Sequence, residues 1–448
     1  MNRQRDFFEA CIACLEQPDA LDGHMHQAAV FLRALGYLPA PGSALEQSDP
    51  LIFENRQALL KLASRFEDTF HLPMPHAPGA AFFGGMVSPA AFGITGHGLD
   101  AAGVGGRGGT LRTAFESCIG EAAEYLSFLE WDDDVKIVEA GQEHGLTPDA
   151  LGWAIAGAGL DGNDTAPVTD WVEAKSLLDC RPVHFPSELI LRRPPSRRIG
   201  DRMAESNGVG AGVTFDQAMR TGLMEVIERD AVALWWFGGR PAKSFSHHID
   251  GSPGFREFIR VVRGESERDT WFLDLTTDLD VPAVAALSSE INGQAVVAGF
   301  AADPDPDHAA QRAFLELCQM ELAQKISIYK WRNMGDGALK EQDKVWIERF
   351  KTLNTENFPR LLMAEGSNET VVLPPDAALS KIVEHMAGAG FTPYASDLTR
   401  LELGIPVARI IVPGLQSAKP DWTSIRLVDT ALTNGFDMTM LAHAPSPI

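Results

Sequence analysis

The segment Thr110-Leu-Arg-Thr-Ala-Phe-Glu-Ser-Cys-Ile-Gly-Glu-Ala-Ala-Glu124 recurs without a gap 104 positions later, as Thr214-Phe-Asp-Gln-Ala-Met-Arg-Thr-Gly-Leu-Met-Glu-Val-Ile-Glu228. Thr, Ala and both Glu coincide, and apolar positions fall on apolar positions. Glycine-rich stretches, residues 105–109 and 208–212, precede the two copies and read as turns. A fainter third copy runs from Ala309 through Arg312 and Ala313 to Glu316 and Gln319. Such repetition predicts a chain assembled from similar helix-plus-strand units.

Both strong copies carry Glu-x-x-Glu. On a helix this spacing puts two carboxylates on one face, about 5–6 Å apart, where they repel. Neighbours such as Ile119, Leu223, Val226 and Ile227 predict packed helices. One such pair alone reads most simply as a solvated acidic face. Its repetition favours carboxylates gathered to hold a hard cation, and magnesium bridged to phosphate is the natural case. Arg229, directly after the second pair, either neutralises phosphate or bridges Glu225, and Arg312 in the third copy has the same two options.

Working outward, residues 2–17, 25–36 and 54–68 have the period of amphipathic helices, separated by turn signals at Pro18, 39–42 and 49–50. Their apolar stripes must be buried, against a partner or against a second copy of the chain as a homodimer. From Leu72 the sequence turns rich in Gly, Pro and Ala, so a helical N-terminal extension (1–71) is expected before a larger domain (72–448). The clearest strands are 271–275, 281–287, 294–301 and 407–412, with Asn292-Gly293 as a hairpin signal. An α+β fold with largely antiparallel sheets fits better than a strict alternation of strand and helix.

Composition narrows the function. The chain has 448 residues, 38 Lys plus Arg against 61 Asp plus Glu, and a formal net charge of -23. A nucleic-acid or anionic-membrane surface needs clustered cations, so neither is expected. No apolar run is long enough to span a bilayer, and residues 1–8 are polar where a signal peptide has its apolar core. Five cysteines in so long a chain suggest a reduced, cytoplasmic protein rather than a disulfide scaffold. Cys11 and Cys14 form a CxxC without a second ligand pair and read as packing thiols. Signatures of zinc proteases, serine hydrolases and P-loop enzymes are missing. One GxGxxG (Gly103, Gly105, Gly108) lacks the preceding apolar strand of a dinucleotide site. Trp235 and Trp236 read as core.

With these residues in view, the chain resembles the YcaO family. The resemblance is carried by Glu205-Ser206-Asn207-Gly208-Val-Gly-Ala211-Gly212, then Ala218, Gly222-Leu223, Glu225 and Ile227-Glu228-Arg229-Asp230-Ala231. Residues 84–88 (Gly-Gly-Met-Val-Ser), 105–110, Glu121, Glu124, 404–407 and 411–415 add to it, so that it spans about 72–448. It implies a YcaO-like fold and an ATP-dependent enzyme that activates peptide backbone amides with ATP and Mg2+. It further implies Glu121, Glu124, Glu225 and Glu228 as magnesium ligands. Ser88, Gly109, Ser206, Asn207, Gln217, Arg229 and Arg312 would contact ATP. Three positions depart from the pattern: Gln217 stands where Glu is frequent, Val213 replaces a polar residue, and Tyr125 follows the first pair in place of Arg.

In the implied chemistry a Cys, Ser or Thr side chain, or external sulfide, adds to a peptide carbonyl. The resulting oxyanion takes the γ-phosphoryl of ATP, and phosphate leaves with the former amide oxygen. Positioning and charge compensation dominate such transfers, and no nucleophile on the enzyme is required. The end of the chain, with His443, Pro445, Pro447 and Ile448, approximates the proline-rich tail whose terminal carboxylate assists proton transfer in azoline-forming members. The first reading is therefore a cyclodehydratase making thiazoline or oxazoline in a ribosomally made precursor peptide. It would work with a ubiquitin-activating-like leader-binding protein and a flavin dehydrogenase. The second is thioamide or amidine formation, with a TfuA-like partner for thioamidation. A non-catalytic nucleotide-binding scaffold, motivated by Gln217 and Val213, is the third.

Overall fold

A computed structural model of the chain describes residues 3–17, 25–40, 49–132, 137–139, 144–160, 170–199, 202–362, 364–367, 373–417 and 422–437. The helices are α1 (Arg3–Glu16), α2 (His26–Ala34), α3 (Pro50–Ala63), α4 (Leu111–Phe128), α5 (Pro148–Gly157), α6 (Ser187–Ile190) and α7 (Phe215–Trp236). They continue with α8 (Ser246–Gly251), α9 (Pro253–Arg263), α10 (Pro306–Met334), α11 (Glu341–Thr352), α12 (Leu379–Gly388) and α13 (Ile425–Thr433). The strands are β1 (Asp68–Pro73), β2 (Ala81–Val87), β3 (Ala102–Gly108), β4 (Ile137–Glu139), β5 (Asp170–Ser176), β6 (Pro182–Pro186) and β7 (Val209–Ala211). After them come β8 (Ala242–Ser244), β9 (Arg268–Asp274), β10 (Ala283–Glu290), β11 (Val297–Ala302), β12 (Ala364–Ser367), β13 (Tyr394–Asp397) and β14 (Val407–Ile411). The α+β class and the mainly antiparallel pairing agree with the reading of the sequence.

Two compact units divide the chain. The first comprises residues 1–72, 81–223 and 393–413, the second residues 73–80, 224–392 and 414–448, so the division falls inside α7. Unit one holds two sheets, β1-β2-β3 and β4-β5-β13-β14-β7, with β6 paired to β5. Helices α1, α2 and α3 pack together and against α4 in one apolar core, in which Phe8, Leu32, Leu60, Phe115 and Ile119 are fully buried. The stripes that the sequence assigned to a partner or a second copy are thus covered within the chain. Cys11 and Cys14 are buried in this core, where desolvation pushes the Cys11 thiol up to about 12. Unit two holds the sheet β11-β10-β9-β8-β12, with α10 lying on β10 and β11. Its β10–β11 hairpin, at one edge, pairs Ala283 with Ala302 through Ser288 with Val297, and the expected turn residue Gly293 takes φ +77°. Trp235 and Trp236 are core residues here, as expected.

The repeat is structural, and its glycines do different work from the one the sequence suggested. The stretches before the first two copies contribute strands β3 and β7 rather than turns, and each strand lies directly on the helix that follows it. A Cβ on Gly106 would stand 2.1 Å from the Ala114 carbonyl oxygen. On Gly210 it would stand 2.5 Å from the Ala218 oxygen, and on Gly299 of β11 2.4 Å from the Ala313 oxygen. Ala114, Ala218 and Ala313 are the residues that the internal alignment equates. Glycine is therefore needed for close approach of two backbones. The GxGxxG lies within β3, consistent with setting the dinucleotide reading aside. Each helix also opens on a cap: Thr110 Oγ1 accepts from Thr113 N (3.2 Å), Thr214 Oγ1 from Gln217 N (3.2 Å), and Asp305 Oδ1 from Asp307 N (2.9 Å). Helix α3 differs from expectation, beginning at Pro50 rather than residue 54. Asp49 caps it (Leu51 N to Oδ1, 2.9 Å), and proline is favoured at the first helical position, so Asp49-Pro50 starts a helix where the sequence reading saw a turn.

Candidate active site

In unit one the acidic pair of α4 is held by main-chain donors. Gly105 N on β3 donates to Glu121 Oε2 at 3.0 Å, and Ala211 N on β7 donates to Glu124 Oε1 at 2.7 Å. Each bond fixes the direction of its carboxyl group, and it is stronger when that group is ionised. Gln217, one turn into α7, accepts from Val213 N through its side-chain oxygen at 3.1 Å, so its amide folds back on its own helix terminus. The Asn207 main-chain oxygen accepts from the Arg409 guanidinium, whereas its side-chain Oδ1 is buried and has no hydrogen-bond partner among the described residues. Ser206 lies exposed beside it, Ser88 follows β2, and Gly109 is exposed between β3 and α4.

In unit two the acidic pair of α7 sits in a different environment. Glu225 and Glu228 flank Arg229, at 3.5 Å and 3.4 Å from its guanidinium. Glu228 is buried, and among the described residues its Oε1 makes no hydrogen bond, the arginine at 3.4 Å being an ion-pair contact only. Burial pushes the Glu228 carboxyl up to about 8; Glu316 and Glu225 push the same way, while Arg229 and Arg312 oppose them. Arg229 is itself desolvated, yet Glu228, Glu225 and Glu316 hold its pKa above the ordinary arginine value.

Sequence reasoning left Glu316 out of the ligand set, although the third copy of the repeat contained it. Phe300 N on β11 donates to Glu316 Oε2 at 2.8 Å, a strand-to-helix bond of the same kind as that of Gly105 with Glu121, but made from the residue after the close-approach glycine rather than the one before it. The missing signal was register: Glu316 stands three residues after Ala313, whereas Glu121 stands seven after Ala114, so no Glu-x-x-Glu announces it. Arg312, on the same helix, is half exposed and 3.8 Å from Asp303. His443, Pro447 and Ile448 lie outside the described residues.

A buried carboxylate that shares one arginine with two further carboxylates is costly unless it is protonated or a further cation is bound. All-oxygen donors are what magnesium takes, and the paired arginine suits phosphate. The donor types present therefore suit a magnesium-nucleotide group, although among the described residues no three His, Cys, Asp or Glu side chains are gathered as a metal site by themselves.

Comparison with known proteins points the same way. The family model of the YcaO cyclodehydratase, ATP- and Mg2+-binding, matches residues 105–416. An uncharacterised protein of Methanothermobacter thermautotrophicus is 26% identical over 331 residues, 69% of this chain and 81% of that protein. An uncharacterised protein of the tfuA 3' region of Rhizobium leguminosarum bv. trifolii is 33% identical over 163 residues, 34% of this chain and 39% of its own length. Among solved structures, a heterocyclase in complex with substrate and cofactor superposes with a TM-score of 0.66 at 22% identity. That match covers 88% of this chain but 57% of the heterocyclase. YcaO from Methanopyrus kandleri, bound with AMPPCP and Mg2+, gives 0.56 at 20% identity, over 81% of this chain and 91% of that one. With the family model covering more than half of its length, the chain belongs to the YcaO family, and ATP and Mg2+ are its cofactors.

Proposed function

We propose that this chain activates backbone amides of a ribosomally made precursor peptide, most simply by cyclodehydrating Cys, Ser or Thr to thiazoline or oxazoline. The observation that carries an ATP-dependent role is the cluster at Glu228, where the buried Glu228, with Glu225 and Glu316 near it, shares Arg229, an excess of carboxylate that a further cation would offset. In this reading Glu121 and Glu124 of unit one, and Glu225, Glu228 and Glu316 of unit two, are magnesium ligands. Arg229 and Arg312 offset phosphate charge, with Ser88, Gly109, Ser206, Asn207 and Gln217 as further contacts for ATP. The Gln217 side-chain oxygen accepts from Val213 N, which leaves it one lone pair for a further contact. ATP supplies the phosphoryl group that turns a poor leaving oxygen into phosphate, and magnesium offsets the charge on it. The chain's own groups position and neutralise: the carboxylates would hold the cation, and the charged arginine would offset phosphate.

Residues 1–71 form the helical extension before the catalytic domain 72–448, and the tail with His443, Pro447 and Ile448 supplies the proton acceptor. A leader-binding protein of the ubiquitin-activating type and a flavin dehydrogenase complete the azoline pathway in the cytoplasm. A second reading, thioamidation with a TfuA-like partner, is favoured by one observation, the relative encoded beside tfuA.

Mass spectrometry of the precursor peptide decides between them, after incubation with this protein, its neighbouring gene products, ATP and magnesium. A loss of one water per site supports cyclodehydration, and Glu225→Gln removes it. A gain equal to exchanging oxygen for sulfur, on adding sulfide, moves the assignment to thioamidation. An unchanged peptide with intact ATP rejects both and leaves a binding subunit.

A further inference from the structure

The N-terminal helices press on α4 at a particular place. At about 100° per residue, Arg112, Phe115 and Glu116 lie on the face of α4 opposite Glu121 and Glu124. All three are engaged by the end of α2 and its neighbours. Arg112 donates from Nε to the Leu35 carbonyl (2.5 Å) and from Nη2 to the Gly36 carbonyl (2.8 Å). A helix C-terminus presents unpaired carbonyls and partial negative charge, so a guanidinium is its natural cap. The cap is shaped for this chain: Gly36 takes φ +64°, and a Cβ there would lie 2.2 Å from Arg112 Nη2. One residue on, the buried Tyr37 hydroxyl donates to Glu116 Oε1 at 2.9 Å. Burial, and then Glu116, raise the pKa of this phenol, which keeps it a donor. Between these polar bonds, Phe115 packs edge-on against Phe31 (5.7 Å), Tyr37 (6.4 Å) and Phe83 (5.2 Å), and stacks on Phe8 (6.2 Å).

We propose that the helical extension is part of the nucleotide machinery: the α2 terminus, through Arg112 and the Tyr37–Glu116 bond, sets the axial position of α4 and so the reach of Glu121 and Glu124. Arg112, Gly36 and Tyr37 are positioning residues, since none touches a reacting atom. This rests on the reading of Glu121 and Glu124 as magnesium ligands. Three hydrogen bonds and an aromatic plug on one side of α4 face two main-chain bonds, from Gly105 and Ala211, on the other. The helix is gripped from both sides, and a slip of a few tenths of an ångström on one side moves the carboxylates on the other.

The test is the magnesium dependence of AMPPCP binding to the full chain, by calorimetry, with thermal unfolding measured in parallel. Tyr37→Phe keeps the ring and loses the hydrogen bond, and Gly36→Ala displaces Arg112. Each is expected to raise the half-saturating magnesium concentration roughly three- to tenfold. AMPPCP affinity at saturating magnesium should stay within about twofold of wild type, the split that coupling through α4 alone requires. If Gly36→Ala does not fold, Tyr37→Phe carries the test. A lowered melting temperature with unchanged magnesium dependence would make the brace merely structural and overturn the proposal. Glu121→Gln separates the two layers: if it shifts the magnesium dependence and Tyr37→Phe does not, the brace alone fails. If Glu121→Gln also has no effect, the assignment of α4 as a magnesium helix fails with it.

Discussion

Glu228, on α7, carries a carboxyl that burial pushes well above its ordinary value. Folding buries it among like charges, so the folded chain binds its proton more tightly than the unfolded chain, whose carboxyl has the ordinary value of 4.5. For the metal-free protein the sign follows: this stability is complete below 4.5 and is lost as pH rises through about 8. If Glu228 is a magnesium ligand as proposed, magnesium competes with that proton and reverses the preference. Magnesium affinity should therefore rise by up to tenfold per pH unit from about pH 6 to about pH 8 and then level off. Titrations at fixed AMPPCP would read this directly, and Glu228→Gln should weaken binding and flatten the profile. A wild-type affinity independent of pH would mean that Glu228 is not a ligand.

Among the elements, what repeats is a strand laid on a helix at van der Waals limits. Gly106, Gly210 and Gly299 face equivalent turns of α4, α7 and α10, and each strand precedes its helix. An alanine at Gly106 must push β3 off α4, which costs about 1–3 kcal/mol by overpacking. It would also draw Gly105 N away from Glu121. Gly103 lies on the same strand with its nearest foreign atom, Met86 Sδ, at 3.8 Å, so Gly103→Ala should change stability little. Denaturant unfolding of the two variants separates the readings: equal losses would show that strand propensity, not helix approach, selects glycine. The acidic pairs were legible because both strong copies carry them at one spacing. Glu316 was not, because its copy changes register while the fold still hands it a main-chain donor.

For the whole molecule, the path of the chain matters more than any one contact. Unit one is closed by β13 and β14 from residues 393–413, which fill the gap between β5 and β7. A fragment ending at Leu223 would leave both of those strands with unpaired edges, and exposed edges aggregate. It is expected to be insoluble or to lack a cooperative melt by circular dichroism, whereas the full chain melts cooperatively. A well-folded fragment would mean that β13 and β14 decorate the unit rather than complete it. No helix of the described residues is long and apolar enough to cross a membrane.

The sequence by itself determined the family, the α+β class, the two acidic helices and the burial of the paired tryptophans. Those properties are local or repeated: a spacing on one helix, an apolar period, a block of adjacent residues. Tertiary structure decided what depends on residues far apart in the chain. It turned glycine-rich stretches into strands, because only a following helix at contact distance explains why a side chain is forbidden there. It covered the N-terminal stripes with Phe115 and its neighbours, because an amphipathic face records that it must be buried but not against what. And it singled out Glu228 from four similar glutamates, because desolvation and the field of Glu316, 88 positions away, are properties of the folded chain alone.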